Sequence, residues 1–181
     1  MTGIQLDYST SEATNLKALW LWLDAPDMIA EAKAVKARFI ELGFDSRLND
    51  IWAFNGIYSR SNADNNNIGR MIGVKYKQYD IKKPNSFNIY TYYRNLGRFA
   101  TYNSTYYLTN ITSNLTYNMA SSNVSSDYDA SRIHGSKGFE YGFNYVLDKN
   151  ILLNCYIITA RPTDGASFSQ QMYRVDLYWY Y

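Results

Sequence analysis

Tyr173-Arg174-Val175-Asp176-Leu177-Tyr178-Trp179-Tyr180-Tyr181, the last nine residues, set large apolar side chains at every second position with Arg174, Asp176, Tyr178 and Tyr180 between them. A period of two is the mark of a β-strand with one apolar and one mixed face. On the edge of a water-soluble sheet so much exposed aromatic surface is an aggregation hazard, whereas in the wall of a membrane barrel it meets lipid. The expected fold is therefore all-β: an antiparallel up-and-down transmembrane β-barrel running over residues 1–181.

Composition agrees. Nineteen tyrosines, eight phenylalanines and four tryptophans are far above common usage, and tyrosine and tryptophan are the residues that settle at a membrane interface. The chain has room for roughly nine membrane-length strands with their loops. Its most apolar stretch, Leu19 to Leu23, is too short for a transmembrane helix, so a spanning structure has to be a barrel. Met1 to Gln5 has neither a basic nor an apolar leader region. An exported chain has then either lost its leader or begins inside a longer protein.

An internal echo extends the reading. Glu41-Leu42-Gly43-Phe44-Asp45-Ser46-Arg47-Leu48-Asn49-Asp50-Ile51-Trp52-Ala53-Phe54-Asn55 lies without a gap over Glu140-Tyr141-Gly142-Phe143-Asn144-Tyr145-Val146-Leu147-Asp148-Lys149-Asn150-Ile151-Leu152-Leu153-Asn154, 99 residues later. Both copies read as strand, tight turn, strand, with Asn and Asp where a short hairpin needs backbone tolerance. Pro26 to Leu42 alone looks helical. The echo argues for strand from about Val35, leaving a helix over Pro26 to Lys33 open.

Alternation gives further strands at about Gly3 to Ser9, Leu16 to Leu23, Arg70 to Tyr79, Phe87 to Asn95 and Gln171 to Tyr181, nine with the two hairpins. The connections alternate short and long, as short turns and long loops do at the two ends of an outer-membrane barrel. Residues 96–136 form the longest, a polar loop rich in Asn, Ser, Thr and Tyr. It either folds into the lumen as a constriction, stands as an external loop, or hides a hairpin around Tyr102 to Tyr117. Its Asn-x-Ser/Thr matches at Asn103, Asn110, Asn114 and Asn123 are expected by chance in such a segment.

Phasing the strands separates two sets. Phe139, Tyr141, Phe143, Tyr145, Tyr173, Trp179 and Tyr181 belong to the apolar, lipid-facing one. Glu41, Asp45, Lys75, Lys77, Arg94, Glu140, Asn144, Asn154, Arg174 and Asp176 belong to the polar, pore-lining one. Unpaired charge in a dry core costs several kcal/mol, so charges of both signs pointing inward demand water. The competing reading is the solvated face of a soluble sheet, which alternates in the same way. Lys75, Lys77 and Arg94 either form a basic stripe that favours anions or pair with Glu41, Glu140 or Asp176 across the lumen.

Nothing marks an enzyme. The single histidine, His134, lies in a polar stretch, the single cysteine, Cys155, reads as a small wall residue, and no phosphate-binding glycine loop or metal-ligand spacing occurs. No catalytic residue, metal or cofactor is expected, and the net charge of +2 implies no nucleic acid.

Lys83-Pro84-Asn85-Ser86-Phe87-Asn88-Ile89-Tyr90-Thr91-Tyr92-Tyr93, together with Lys137-Gly138-Phe139-Glu140-Tyr141-Gly142-Phe143-Asn144-Tyr145 and Lys149-Asn150-Ile151, resembles the C-terminal barrel region of the porins of diderm Firmicutes, the S-layer-homology-domain outer-membrane proteins. That family has a Lys-Pro-Gly-Ser turn before a tyrosine-rich strand. Here Asn85 replaces its Gly, and Tyr181 stands where a terminal Phe is usual. The resemblance implies a trimeric general porin of the bacterial outer membrane, tethered to the cell wall through a domain that these residues do not include. The expected function is passive diffusion of small hydrophilic solutes through a water-filled barrel. The alternative is a non-conducting barrel, or a surface β-protein acting through its polar loops. An odd strand count favours the C-terminal part of a larger barrel, incomplete at its N-terminus, because single-chain bacterial barrels have even numbers.

Overall fold

The computed structural model describes residues 2–23, 37–97, 99–100, 135–163 and 169–181. These form nine antiparallel strands in one sheet whose spatial order is the chain order: β1 (Thr2–Ser11), β2 (Thr14–Leu23), β3 (Ala37–Arg47), β4 (Trp52–Ser61), β5 (Ile68–Tyr76), β6 (Phe87–Leu96), β7 (Ser136–Asp148), β8 (Ile151–Pro162) and β9 (Gln170–Trp179). The possible helix over Pro26 to Lys33, the hairpin around Tyr102 to Tyr117, the four Asn-x-Ser/Thr positions and His134 lie outside the described residues.

The sheet is staggered as well as alternating. One hydrogen-bonded row starts at Ser9 near the end of β1 and passes through Asn15, Asp45, Asn55, Gly73, Tyr92, Glu140 and Ile158. It reaches Met172 near the start of β9. Such progressive drift is a stagger of the kind that barrel-like sheets have. The sheet is not closed among the described residues: β1 and β9 are its edges. Both are odd-numbered and run in the same direction.

The echoed segments are hairpins with the same strand register. Glu41 pairs with Ser59 and Asp45 with Asn55, and the positions 99 residues later pair identically, Glu140 with Ile158 and Asn144 with Asn154. Their turns differ. Asn49 Oδ1 accepts the amide protons of Ile51 (2.9 Å) and Trp52 (2.8 Å) in the first, whereas Asn150 takes a left-handed φ of 65° in the second. Asn85 has φ 66°, a conformation that Asn tolerates better than most residues. Ser86 Oγ closes that turn on the carbonyls of Lys83 (2.7 Å) and Asp80 (2.8 Å).

The register corrects two expectations at the turn end. Strand β5 stops at Tyr76, and Lys77 adopts φ 61° with its amide donated to Ile51 O in the neighbouring turn. Its Nζ lies 4.5 Å from the Phe87 ring centre. Lys77 is therefore a turn residue on the aromatic side, not a member of the polar face. Tyr181 lies beyond β9, which ends at Trp179, and its ring stacks on that of Trp179 at 6.3 Å.

Candidate functional site: two opposed sheet faces

Cross-strand partners share a face, so the register assigns every strand side chain. One face carries, turn end to loop end, an aromatic row, an uncharged middle in which Phe143 and Tyr141 stand among aliphatic side chains, and a second aromatic row. Tyr8, Phe44, Trp52, Tyr76, Phe87, Tyr145 and Trp179 make the turn-end row, and Trp20, Trp22, Tyr58, Tyr93, Phe139 and Tyr173 the loop-end row. Between them stand Leu6, Leu42, Ile72, Ile89, Cys155 and Leu177, without a charge. Ile72, Leu42 and Leu6 are each more than half exposed. A shallow groove of about 580 Å³ with almost wholly apolar walls runs between Ile89, Thr91, Tyr141, Phe143, Cys155 and Val175.

The opposite face carries all of the remaining nine residues expected to line a pore: Glu41, Asp45, Lys75, Arg94, Glu140, Asn144, Asn154, Arg174 and Asp176. Asp7, Lys17, Arg47, Asn88, Tyr90 and Tyr92 join them. These six are not among the residues expected to line a pore, although the same strand phase places them there. The strand charges on this face balance: Lys17, Arg47, Lys75, Arg94 and Arg174 against Asp7, Glu41, Asp45, Glu140 and Asp176.

The face is concave. Lys75 on β5 and Arg174 on β9 line one cavity of about 430 Å³ with Tyr90, Tyr92 and Asn154. At its loop-end wall Arg94, only 2% exposed, is ion-paired with Glu140 and its guanidinium carbon lies 5.3 Å from the Tyr92 ring centre. Beside this pair an amide ladder crosses three strands: Asn154 donates to Asn144 (2.6 Å), which donates to Asn88 (2.9 Å). On β9, Arg174 Nε donates to Asp176 Oδ1 at 2.9 Å. The Lys17–Asp45 contact at 3.7 Å joins two half-exposed side chains.

These contacts rule out the basic stripe. Lys77 has left the face, Arg94 is neutralised by Glu140, and Lys75 remains alone of the three. Buried Asn55 Oδ1, Ser59 Oγ, Arg94 Nε and Ser136 Oγ on this face have no partner among the described residues, and water is the natural one.

The chemistry available is that of a polar wall backed by an apolar one, on an all-β, up-and-down antiparallel sheet. No protein-family model matches the chain, and no curated protein gives a match. The functional reading therefore rests on the two faces.

Proposed function

We propose that this chain forms the wall of a water-filled outer-membrane β-barrel, a porin through which small hydrophilic solutes diffuse passively. One observation carries the reading: the strand charges divide absolutely at mid-height, none on the aliphatic band and both signs on the concave face. A soluble sheet needs one face covered by a core, whereas here the apolar face is the exposed one. Lipid covers it in this reading, with the aromatic rows at the two interfaces. Closure of the wall needs either a parallel seam between β1 and β9 or further strands, and the resemblance to C-terminal porin regions favours further strands and a homotrimer. The balanced charges predict weak ion selectivity.

The packing of Tyr90, Tyr92, Leu96, Arg94 and Val146 over β6 and β7 favours a second reading, a non-conducting barrel with a filled interior, since Val146 and Leu96 are 1% exposed or less. Planar-bilayer recording on the refolded full chain separates the two. Stepwise conductance with near-equal cation and anion permeability is expected. A chain that inserts, shown by protease protection in vesicles, yet gives no conductance supports the filled barrel. A chain that folds without detergent or lipid overturns both.

A further inference from the structure

Outside the loop-end aromatic row the apolar face carries Arg38, Arg60, Arg70, Lys137 and Arg161, one each on β3, β4, β5, β7 and β8. Three of them share a row: Arg70 pairs with Asn95, Asn95 with Lys137, and Lys137 with Arg161. Like charges directly opposite on neighbouring strands repel. The described strands bring no carboxylate to the loop end of this face, and Asp64, in the 62–67 loop at the same end, makes no ion pair with any of the five among the described residues. The turn-end rim differs, mixing Asp50, Asp80 and Asp148 with Lys82, Lys83 and Lys149.

A second observation lies beneath that row. Lys137 and Arg161 wall one cavity of about 210 Å³ with Tyr93, Phe139, Thr159 and Gln171, and the Tyr93 and Phe139 rings meet at 5.0 Å. Two cations over an aromatic floor fit a headgroup whose anion sits at the rim and whose chain continues down the apolar face. Guanidinium and ammonium donors, without a carboxylate partner among the described residues, suit phosphate oxygens.

We propose that the loop-end rim binds the phosphate groups of a lipid A-type glycolipid, with Lys137 and Arg161 as its central contacts and Arg38, Arg60 and Arg70 extending the belt. The proposal rests on the outer-membrane reading, in which long loops face outward and this rim meets the outer leaflet. The anion relieves the Lys137–Arg161 repulsion, and the two aromatic rings pack against the acyl region.

The test exposes the refolded full chain in detergent to an equimolar mixture of bisphosphorylated lipid A and phosphatidylglycerol and counts lipid adducts by native mass spectrometry. Lipid A adducts predominate on the wild type and fall about thirtyfold in the Lys137→Gln/Arg161→Gln double variant, the change expected from losing two cations beside an anionic headgroup. Lys82→Gln, at the opposite rim, retains them. Equal adducts on wild type and double variant overturn the proposal, as does phosphatidylglycerol binding as well as lipid A. Protease protection of both proteins in phosphatidylcholine vesicles is measured alongside. Protection without lipid A preference removes the headgroup site alone, and absence of protection removes the membrane reading and the site with it.

Discussion

Strands β3–β4 and β7–β8 are the same hairpin twice, equal in register and in the phase of their faces, yet one is held by surface contacts and the other by a buried network. Glu41 and Glu140 occupy equivalent places. Glu140 faces Tyr92 and pairs with Arg94 on β6, whereas Glu41 faces Leu19 on β2 and has no ion pair among the described residues. Asn144 sits inside a three-strand amide ladder, whereas its counterpart Asp45 meets Lys17 in a half-exposed contact. The neighbouring strand, rather than the hairpin's own sequence, decides how much a polar-face residue contributes.

The largest effect that breaks this asymmetry is loss of the buried carboxylate. Glu140→Ala leaves Arg94 desolvated and unpaired, at a cost of about 3–5 kcal/mol, while Glu41→Ala stays within about 1 kcal/mol. Urea unfolding in phosphatidylcholine vesicles, followed by tryptophan fluorescence, reads both. The double variant Arg94→Met/Glu140→Leu recovers most of the loss, because it removes the stranded charge along with its partner. Equal destabilisation by the two alanine variants would show that the copies are held alike.

Glycine at the next polar-face position sharpens the contrast. The Tyr90 ring lies over Gly142, where an added Cβ collides with it, but at Gly43 the nearest atoms, Gly56 O and Ile57 Cγ1, are 3.6 and 3.8 Å away. Gly142→Ala displaces Tyr90 and costs about 1–3 kcal/mol. Gly43→Ala is neutral or stabilises by up to about 1 kcal/mol, since glycine in a strand carries an entropic cost without a packing reason here. The same unfolding experiment distinguishes the signs.

Much of this was legible in the sequence. The period of two fixed nine strands and both faces, because a strand's side chains cannot choose their side independently. The 99-residue echo carried register as well as topology. What stayed hidden depends on contacts between segments far apart in the chain. The Arg94–Glu140 pair joins β6 to β7 across the 97–135 connection, and no periodicity predicts their alignment. Lys77 continues the alternation of β5 in the sequence, but its left-handed φ ends the strand one residue earlier while its amide donates to Ile51 O in the neighbouring turn. The five rim cations are scattered over five strands, each looking like an isolated exception to an apolar face until the register sets them at one end.

The smallest expected effect lies in the turns, where the two copies reach the same hairpin by different chemistry. Asn150 is needed for its left-handed φ, which glycine adopts more readily, so Asn150→Gly is neutral within about 0.5 kcal/mol. Asn49 acts through its side-chain oxygen, which holds two amide protons that glycine leaves unpartnered. Asn49→Gly therefore costs about 1 kcal/mol. Replacing each with Ala inverts the logic: Asn150→Ala pays the left-handed backbone penalty of about 1 kcal/mol, and Asn49→Ala pays the same lost bonds as Asn49→Gly. Urea midpoints for the four variants check it, and an Asn150→Gly loss equal to that of Asn49→Gly would mean that the second turn also depends on a side-chain oxygen.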